Sequence, residues 1–366
     1  MGTSMSQPGL ETSPSTFTKS DQELIDLILI EKKKLGSQLM ILGHHYQRAS
    51  IVKLADKIGD SFGLAKAAAE ANDVQKIVFC GVRFMAESAA ILCRDDQKVY
   101  HPEPEAGCPM ADMAPMDSVE LAWQYLSQHP QLKDKKVIPV TYMNSHAPLK
   151  SFTGKNGGLV CTSSNAKQAL EWAYQNGDVV FFFPDQHLGR NTGKNLGFSE
   201  EQMPVWYPSK HQGGIDNFEK CKMILWNGNC PVHMKFHARD LRFVRKHFPQ
   251  AKIAVHPECT AEVVALADAV GSTEFLVNYV RGLSAGSQVF VGTEVHLIDR
   301  LKAENPKIKI EALFRSLCPT MYMVDLQKLL YCLQTFDEKL LVPMESVSKA
   351  QAKLSLERML ALPRNG

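Results

Sequence analysis

Three of the nine cysteines are each followed by proline: Cys108-Pro109, Cys230-Pro231 and Cys318-Pro319. Proline fixes the backbone direction and is excluded from helix interiors, so these thiols belong on loops or at helix starts. A Cys-Pro pair also occurs in iron-sulfur ligation. The three lie 122 and 88 positions apart, one in each third of the chain. Three converging thiolates would leave one iron of a cubane without a protein ligand. That iron can act as a Lewis acid on hydroxyl or carboxylate oxygens and so remove water from a substrate, whereas an electron carrier wants a fourth thiolate. No Cys-x-x-Cys occurs, which argues against a structural zinc site. By spacing alone, ordinary core or surface thiols remain the other reading.

A second group of residues suits proton transfer and anion binding. It comprises Gly43-His44-His45-Tyr46, Thr141-Tyr142-Met143-Asn144, Thr162-Ser163-Ser164-Asn165, Val255-His256-Pro257-Glu258-Cys259 and Gly271-Ser272-Thr273-Glu274. Imidazole, phenol and carboxylate all move protons. Asp60-Ser61, Ser163-Ser164 and Ser272-Thr273 fall where helices should begin, and free N–H groups with hydroxyls there bind carboxylate or phosphate. Each is also readable as a plain N-cap worth about 1 kcal/mol. His44, His45, Tyr46 and Tyr142 are also readable as core residues, and Glu258 as a helix-start carboxylate. Pro184 to Asn191 is a turn whose Asp185, Gly189 and Arg190 are further site candidates.

These groups need a frame, and the hydrophobic pattern supplies one. Short apolar runs at Leu39–Leu42, Lys76–Cys80, Lys136–Val140, Val179–Phe183, Lys252–Val255 and Gln288–Gly292 alternate with helical periods, an α/β pattern. In parallel sheets, ligands bind beyond the carboxyl ends of strands, where the polar groups above lie. Ile51, Ala55, Ile58, Phe62 and Ala65 predict two helices parted by Gly59-Asp60-Ser61. Units starting at Ile77, Leu159 and Ile253 look alike, each a strand, a polar turn and an alanine-rich helix. They predict three related sandwiches: residues 20–113, 114–215 and 216–345, after a disordered tail at 1–19 and before a C-terminal helix and tail at 346–366. An amphipathic helix is expected from Lys349 to Leu362. The Lys-rich stretch from Glu31 to Lys34 is a solvated helix face.

The composition is that of a globular chain of 366 residues, 45% hydrophobic and 22% charged, with formal net charge +2. Nothing in it favours nucleic acid, and no apolar run reaches the ~20 residues that span a bilayer. The leader lacks the order of a signal peptide, so a cytoplasmic location is expected. An odd number of cysteines in such a chain argues for reduced thiols.

From about Leu39 to Cys332 the sequence resembles the quinolinate synthase family. The motifs GHHYQ, IGDS, FMAES, EAGCPMAD, VTYMNS, TSSNA, PDQHLGRN, GNCPVH, VHPEC and GST, with the Cys-Pro-Thr-Met of Cys318, occur in order. The resemblance implies three similar three-layer α/β/α sandwich domains about a pseudo-threefold axis, with one 4Fe-4S cluster per chain on Cys108, Cys230 and Cys318. It implies condensation of iminoaspartate with dihydroxyacetone phosphate to quinolinate in NAD biosynthesis, coupled to an aspartate oxidase or dehydrogenase. His44, Tyr46, Tyr142, Asn144, His256 and Glu258 would line the site, and Ser61, Ser163 and Thr273 would bind carboxylate or phosphate oxygens. Glu258 and Tyr46 would carry protons, while Tyr142 and Asn144 position the departing hydroxyl. His233 is a further candidate for the same cavity, and Cys259 draws notice beside Glu258. The remaining cysteines are expected to be structural. The stretch from Leu196 to Met223 is longer than in compact family members and is expected to be a surface insertion. The alternatives are a 4Fe-4S-dependent hydroxy-acid dehydratase and a cluster-binding redox sensor.

Overall fold

A strand whose successive side chains are all apolar must be covered on both faces, and the strands here alternate between separate cores. Val180 and Phe182 enter one apolar cluster while Val179, Phe181 and Phe183 enter another. Val289 and Val291 likewise face one way and Phe290 the other. The computed structural model describes residues 19–344 and 346–363; of the expected N-terminal tail all but Lys19 lies outside the described residues, as do the last three positions of the chain.

The described strands are β1 (Leu39–His44), β2 (Lys57–Gly59), β3 (Lys76–Cys80), β4 (Lys98–Tyr100), β5 (Val137–Tyr142), β6 (Leu159–Cys161), β7 (Val179–Phe183), β8 (Val205–Trp206), β9 (Met223–Trp226), β10 (Lys252–Val255), β11 (Ala269–Val270), β12 (Gln288–Gly292) and β13 (Lys309–Ala312). They form three sheets of order β2-β1-β3-β4, β6-β5-β7-β9-β8 and β11-β10-β12-β13. Every pairing within them is parallel. Parallel strands need crossovers, and helices supply them. The chain is thus α/β with three parallel sheets that share a four-strand frame, the second carrying β8 as an extra edge strand.

That topology corrects the repeat read from sequence. The units at Ile77, Leu159 and Ile253 coincide with β3, β6 and β10, which are the third, second and first strands of their sheets. They look alike because every parallel strand-turn-helix unit does. The positional equivalents are β1, β5 and β10, and in the same way β2, β6 and β11. Two other expectations change. Ile58 lies in β2, not in a helix; the preceding helix is only Ala49–Val52, and Asp60 then caps the helix Ser61–Ala69 by accepting from Gly63 N. The stretch after Leu196 is not a surface insertion, because it adds β8 to the sheet edge and buries Trp206 and Phe218.

The second sheet has an additional brace. The C-terminal helix Ser346–Leu360 buries Ala352, Leu356 and Met359 and packs on the helix Ala147–Lys155. At their closest approach a Cβ on Gly154 would stand 1.9 Å from the Gln351 carbonyl oxygen, so only glycine fits. Buried Lys150 on the same helix donates to the Ser145 carbonyl, and Glu87 Oε2 accepts from Ala147 N at 2.9 Å. Together these groups clamp the turn that follows β5. Burial lowers Lys150 to about 8, against the opposing pull of Glu87.

Candidate active site

The polar segments converge where the strands end. The twelve residues to which the family resemblance gives a site or ligand role all line one cavity: His44, Tyr46, Ser61, Cys108, Tyr142, Asn144, Ser163, Cys230, His256, Glu258, Thr273 and Cys318. Asp60, Thr162, His233 and Thr320 also line it, with an apolar part from Val82, Phe84, Met85, Val232 and Met321. The first strand of each sheet delivers proton-moving groups: His44 at the end of β1 with Tyr46 after it, Tyr142 at the end of β5, His256 and Glu258 after β10. The second strands are followed by hydroxyls at helix starts, Ser61 and Thr273 as first helical residues and Ser163 in the turn before its helix. Ser272 caps its helix by accepting from Phe275 N, whereas the helix after β6 starts at Ala166, so Ser163 and Ser164 sit in the turn before it. Ser164 donates to Asp60, linking the first two sheets.

The three cysteines share one construction. Each follows the fourth strand of its sheet order (β4, β9, β13). Two residues before each cysteine, a carbonyl accepts from the helix start after the third strand: Arg83 N to Ala106 O at 2.8 Å, Gln186 N to Gly228 O at 2.9 Å, and Val295 N to Ser316 O at 2.8 Å. Three residues after each, the N–H of Ala111, His233 or Met321 is turned toward the sulfur and favours its thiolate. Of the nine free cysteines, Cys80, Cys93, Cys161, Cys221, Cys259 and Cys332 are buried; only these three are partly exposed. Burial is the main cause that pushes their thiols up, Cys108 to about 12, and Cys230 is raised further by Glu258 and by the other two sulfurs. Three thiols on one cavity, whose thiolates would repel one another, suit a cationic metal group, which deprotonates the sulfurs it binds.

Opposite chemistry links the remaining groups into a hydrogen-bond chain. Tyr142 Oη donates to Glu258 Oε1, and His233 Nδ1 lies 2.8 Å from Glu258 Oε2. His233 Nε2 reaches Thr293 Oγ1 at 3.4 Å, Thr293 Oγ1 is 2.6 Å from Tyr46 Oη, and Thr273 Oγ1 donates to Tyr46 Oη at 3.1 Å. Donors and acceptors along it are mutually consistent: Thr273 to Tyr46 to Thr293 to His233 to Glu258, with Tyr142 closing on the other carboxylate oxygen. Thr293 is buried and was not visible as a candidate in the sequence; its only signal is its place directly after β12.

Two histidines are held neutral. Tyr46 N donates to His44 Nδ1 at 3.1 Å and Glu258 N to His256 Nδ1 at 3.3 Å, so each ring carries its proton on Nε2. Burial lowers His44 well below the usual histidine range and His256 to about 3, with neighbouring imidazoles adding to both. Burial also raises Tyr46 and Tyr142 well above the usual phenol range. Burial pushes Glu258 upward, but His256, His233 and its hydrogen bonds outweigh it and keep it a carboxylate. The His256 and His233 rings stack at 4.4 Å.

The other candidates fall elsewhere. His45 points away from the cavity, within reach of Glu274 at 2.9 Å and accepting from Arg300 at 2.8 Å. Asp185 caps the helix Gln186–Asn195, and Arg190 pairs with Glu200. Cys259 is buried behind Glu258. Cys230 Sγ, a His233 ring nitrogen and a Glu258 oxygen lie within 4.8 Å of one another, a group able to hold a metal ion. No helix among the described residues is long and apolar enough to cross a membrane.

Comparison with known proteins covers nearly the whole chain. The family described as quinolinate synthetase A protein matches residues 28–361. The quinolinate synthase of Corynebacterium glutamicum is 44% identical over 363 residues, covering 97% of this chain and 92% of the relative. That of Streptomyces coelicolor is 45% identical over 368 residues, 98% and 93% of the two chains. That of Geobacillus thermodenitrificans is 42% identical over 361 residues, 96% and 97%.

Proposed function

The chain belongs to the quinolinate synthetase A family of enzymes, and from that premise we propose that it condenses iminoaspartate with dihydroxyacetone phosphate to quinolinate, phosphate and water in NAD biosynthesis. A 4Fe-4S cluster held by Cys108, Cys230 and Cys318 would sit where the three sheets meet, and its unliganded iron would supply Lewis acidity toward a departing hydroxyl. The observation that carries the reading is the shared construction of the three cysteines, which aims one sulfur from each sheet at the cavity that holds the proton-moving groups.

The remaining chemistry belongs to this chain's side chains. Ser61, Ser163 and Thr273 offer hydroxyls near helix starts, a setting that favours carboxylate and phosphate oxygens. His44 and His256 are neutral Nε2–H donors, able to polarise a carbonyl without giving up a proton. Glu258 accepts a proton from substrate, and the path through His233 and Thr293 to Tyr46 lets it move between the two sides of the cavity. Tyr142 and Asn144, presented by the turn that Lys150 clamps, position the hydroxyl that leaves. Iminoaspartate would come from an oxidase or dehydrogenase acting on aspartate. The location is expected to be cytoplasmic.

The test is an anaerobic assay of cluster-loaded protein given each substrate alone and both together. Quinolinate formed only with both substrates supports the reading. Water loss from a lone hydroxy acid would point instead to a hydroxy-acid dehydratase.

A further inference from the structure

Cys230 serves two donor sets at once. With Cys108 and Cys318 it completes the three-thiol corner, but it also stands with His233 and Glu258 in a mixed S, N and O group within 4.8 Å. Cys230 and His233 are three residues apart, a short chelating spacing, on a segment whose Met234 N bonds back to Cys230 O at 3.0 Å. Glu258 is fixed by Tyr142 on Oε1, leaving Oε2 toward His233. Thiolate, imidazole and carboxylate together suit zinc, whereas a cubane takes the thiolates.

We propose that the cluster-free chain binds one Zn²⁺ through Cys230, His233 and Glu258, and that this ion and the cluster exclude each other because both need the Cys230 sulfur. The exclusion rests on the cluster reading above; the zinc site does not. On binding, the Cys230 thiol releases one proton and its sulfur bonds the metal. The His233 proton moves from Nδ1 to Nε2, which then donates a hydrogen bond to Thr293 Oγ1 at 3.4 Å that orients the ring, as outer-shell partners of metal-bound histidine do. Water fills the fourth position. The site thus acts as a trap for zinc before the cluster is installed or after it is lost.

The test uses the full chain, freed of iron under anaerobic conditions, titrated with Zn²⁺ against a chromophoric chelator and with Co²⁺ as a spectroscopic probe. One ion per chain is expected, weakened at least about tenfold in His233→Ala and in Glu258→Gln. The cobalt-thiolate band should vanish in Cys230→Ser and persist in Cys108→Ser and Cys318→Ser. X-ray absorption at the zinc edge of the wild type should show one sulfur at about 2.3 Å, which keeps the test independent of whether a variant folds. Iron and sulfide should then fail to build a cluster until the zinc is chelated. Absence of stoichiometric binding, three sulfurs around the zinc, or cluster assembly at an equal rate with zinc in place would overturn the proposal. Failure of the zinc-free wild type to take up any cluster would sink the cluster reading and the exclusion built on it, while the titration still decides the zinc site.

Discussion

The first and third sheets end alike and the second does not. At the end of β1 and just after β10 a backbone N–H two residues on fixes a histidine as a neutral Nε2–H donor, His44 in one and His256 in the other. The same position in the second sheet holds Tyr142, whose following turn is clamped by Lys150 and Glu87 and backed by the C-terminal helix. One backbone frame is thus used three times with different side chains. Two sheets contribute donors fixed by their own turns, and the second contributes a phenol held from outside. The link between the two kinds is Glu258, bonded to Tyr142 on one oxygen and His233 on the other.

Cutting that link should have the largest effect. Glu258→Gln is expected to lower kcat by roughly 10² to 10⁴ with cluster content unchanged, as removal of a general base does. Steady-state rates beside iron analysis check it, and an unchanged kcat would break the account of the relay. Next comes the brace peculiar to the second sheet. Gly154→Ala forces two helices apart and should cost about 1 to 3 kcal/mol in denaturant unfolding. Thr293→Val removes the hydroxyl between Tyr46 and His233 and should lower kcat about tenfold with KM little changed. An equal loss in KM would mean that Thr293 merely shapes the cavity.

The smallest effect concerns pH. His256 is neutral when folded down to about pH 3, while the unfolded chain protonates it near 6.5. Above 6.5 both states are neutral and the stabilising contribution is complete; as pH falls toward 3 the unfolded state takes up the proton first and stability declines. The denaturant midpoint should therefore drop between pH 7 and pH 5 less in His256→Gln than in the wild type. Identical drops would remove His256 from the set of buried neutral groups.

Much of this was legible in the sequence, for identifiable reasons. Long apolar strands such as Val179–Phe183 declare themselves because both faces are buried. Motifs at their ends bring His44, Tyr142 and Glu258 to notice because ligands bind beyond the carboxyl ends of parallel strands, although each is also readable there as a core or capping residue. The short strands β2, β4, β11 and β13 carry two to four residues and no usable period, so in the sequence Ile58 reads as helical and the repeat falls out of register. Thr293 could not be seen, since a single threonine after a strand is ordinary until Tyr46 and His233 are found on either side of it. The carbonyl bonds two residues before Cys108, Cys230 and Cys318 involve Ala106, Gly228 and Ser316, which have no side chain in common. The shared Cys-Pro pair marks the three as a set in the sequence, but only the fold shows that they occupy the same place after the fourth strand of each sheet order.

The most direct test of the central claim is anaerobic iron and sulfide content of the wild type and of Cys108→Ser, Cys230→Ser and Cys318→Ser, with buried Cys93→Ser as a control. The account predicts about four irons per chain in the wild type and the control, and loss of the cluster together with quinolinate formation in each of the three variants. A full cluster in any one of the three, or its loss in Cys93→Ser alone, would contradict it.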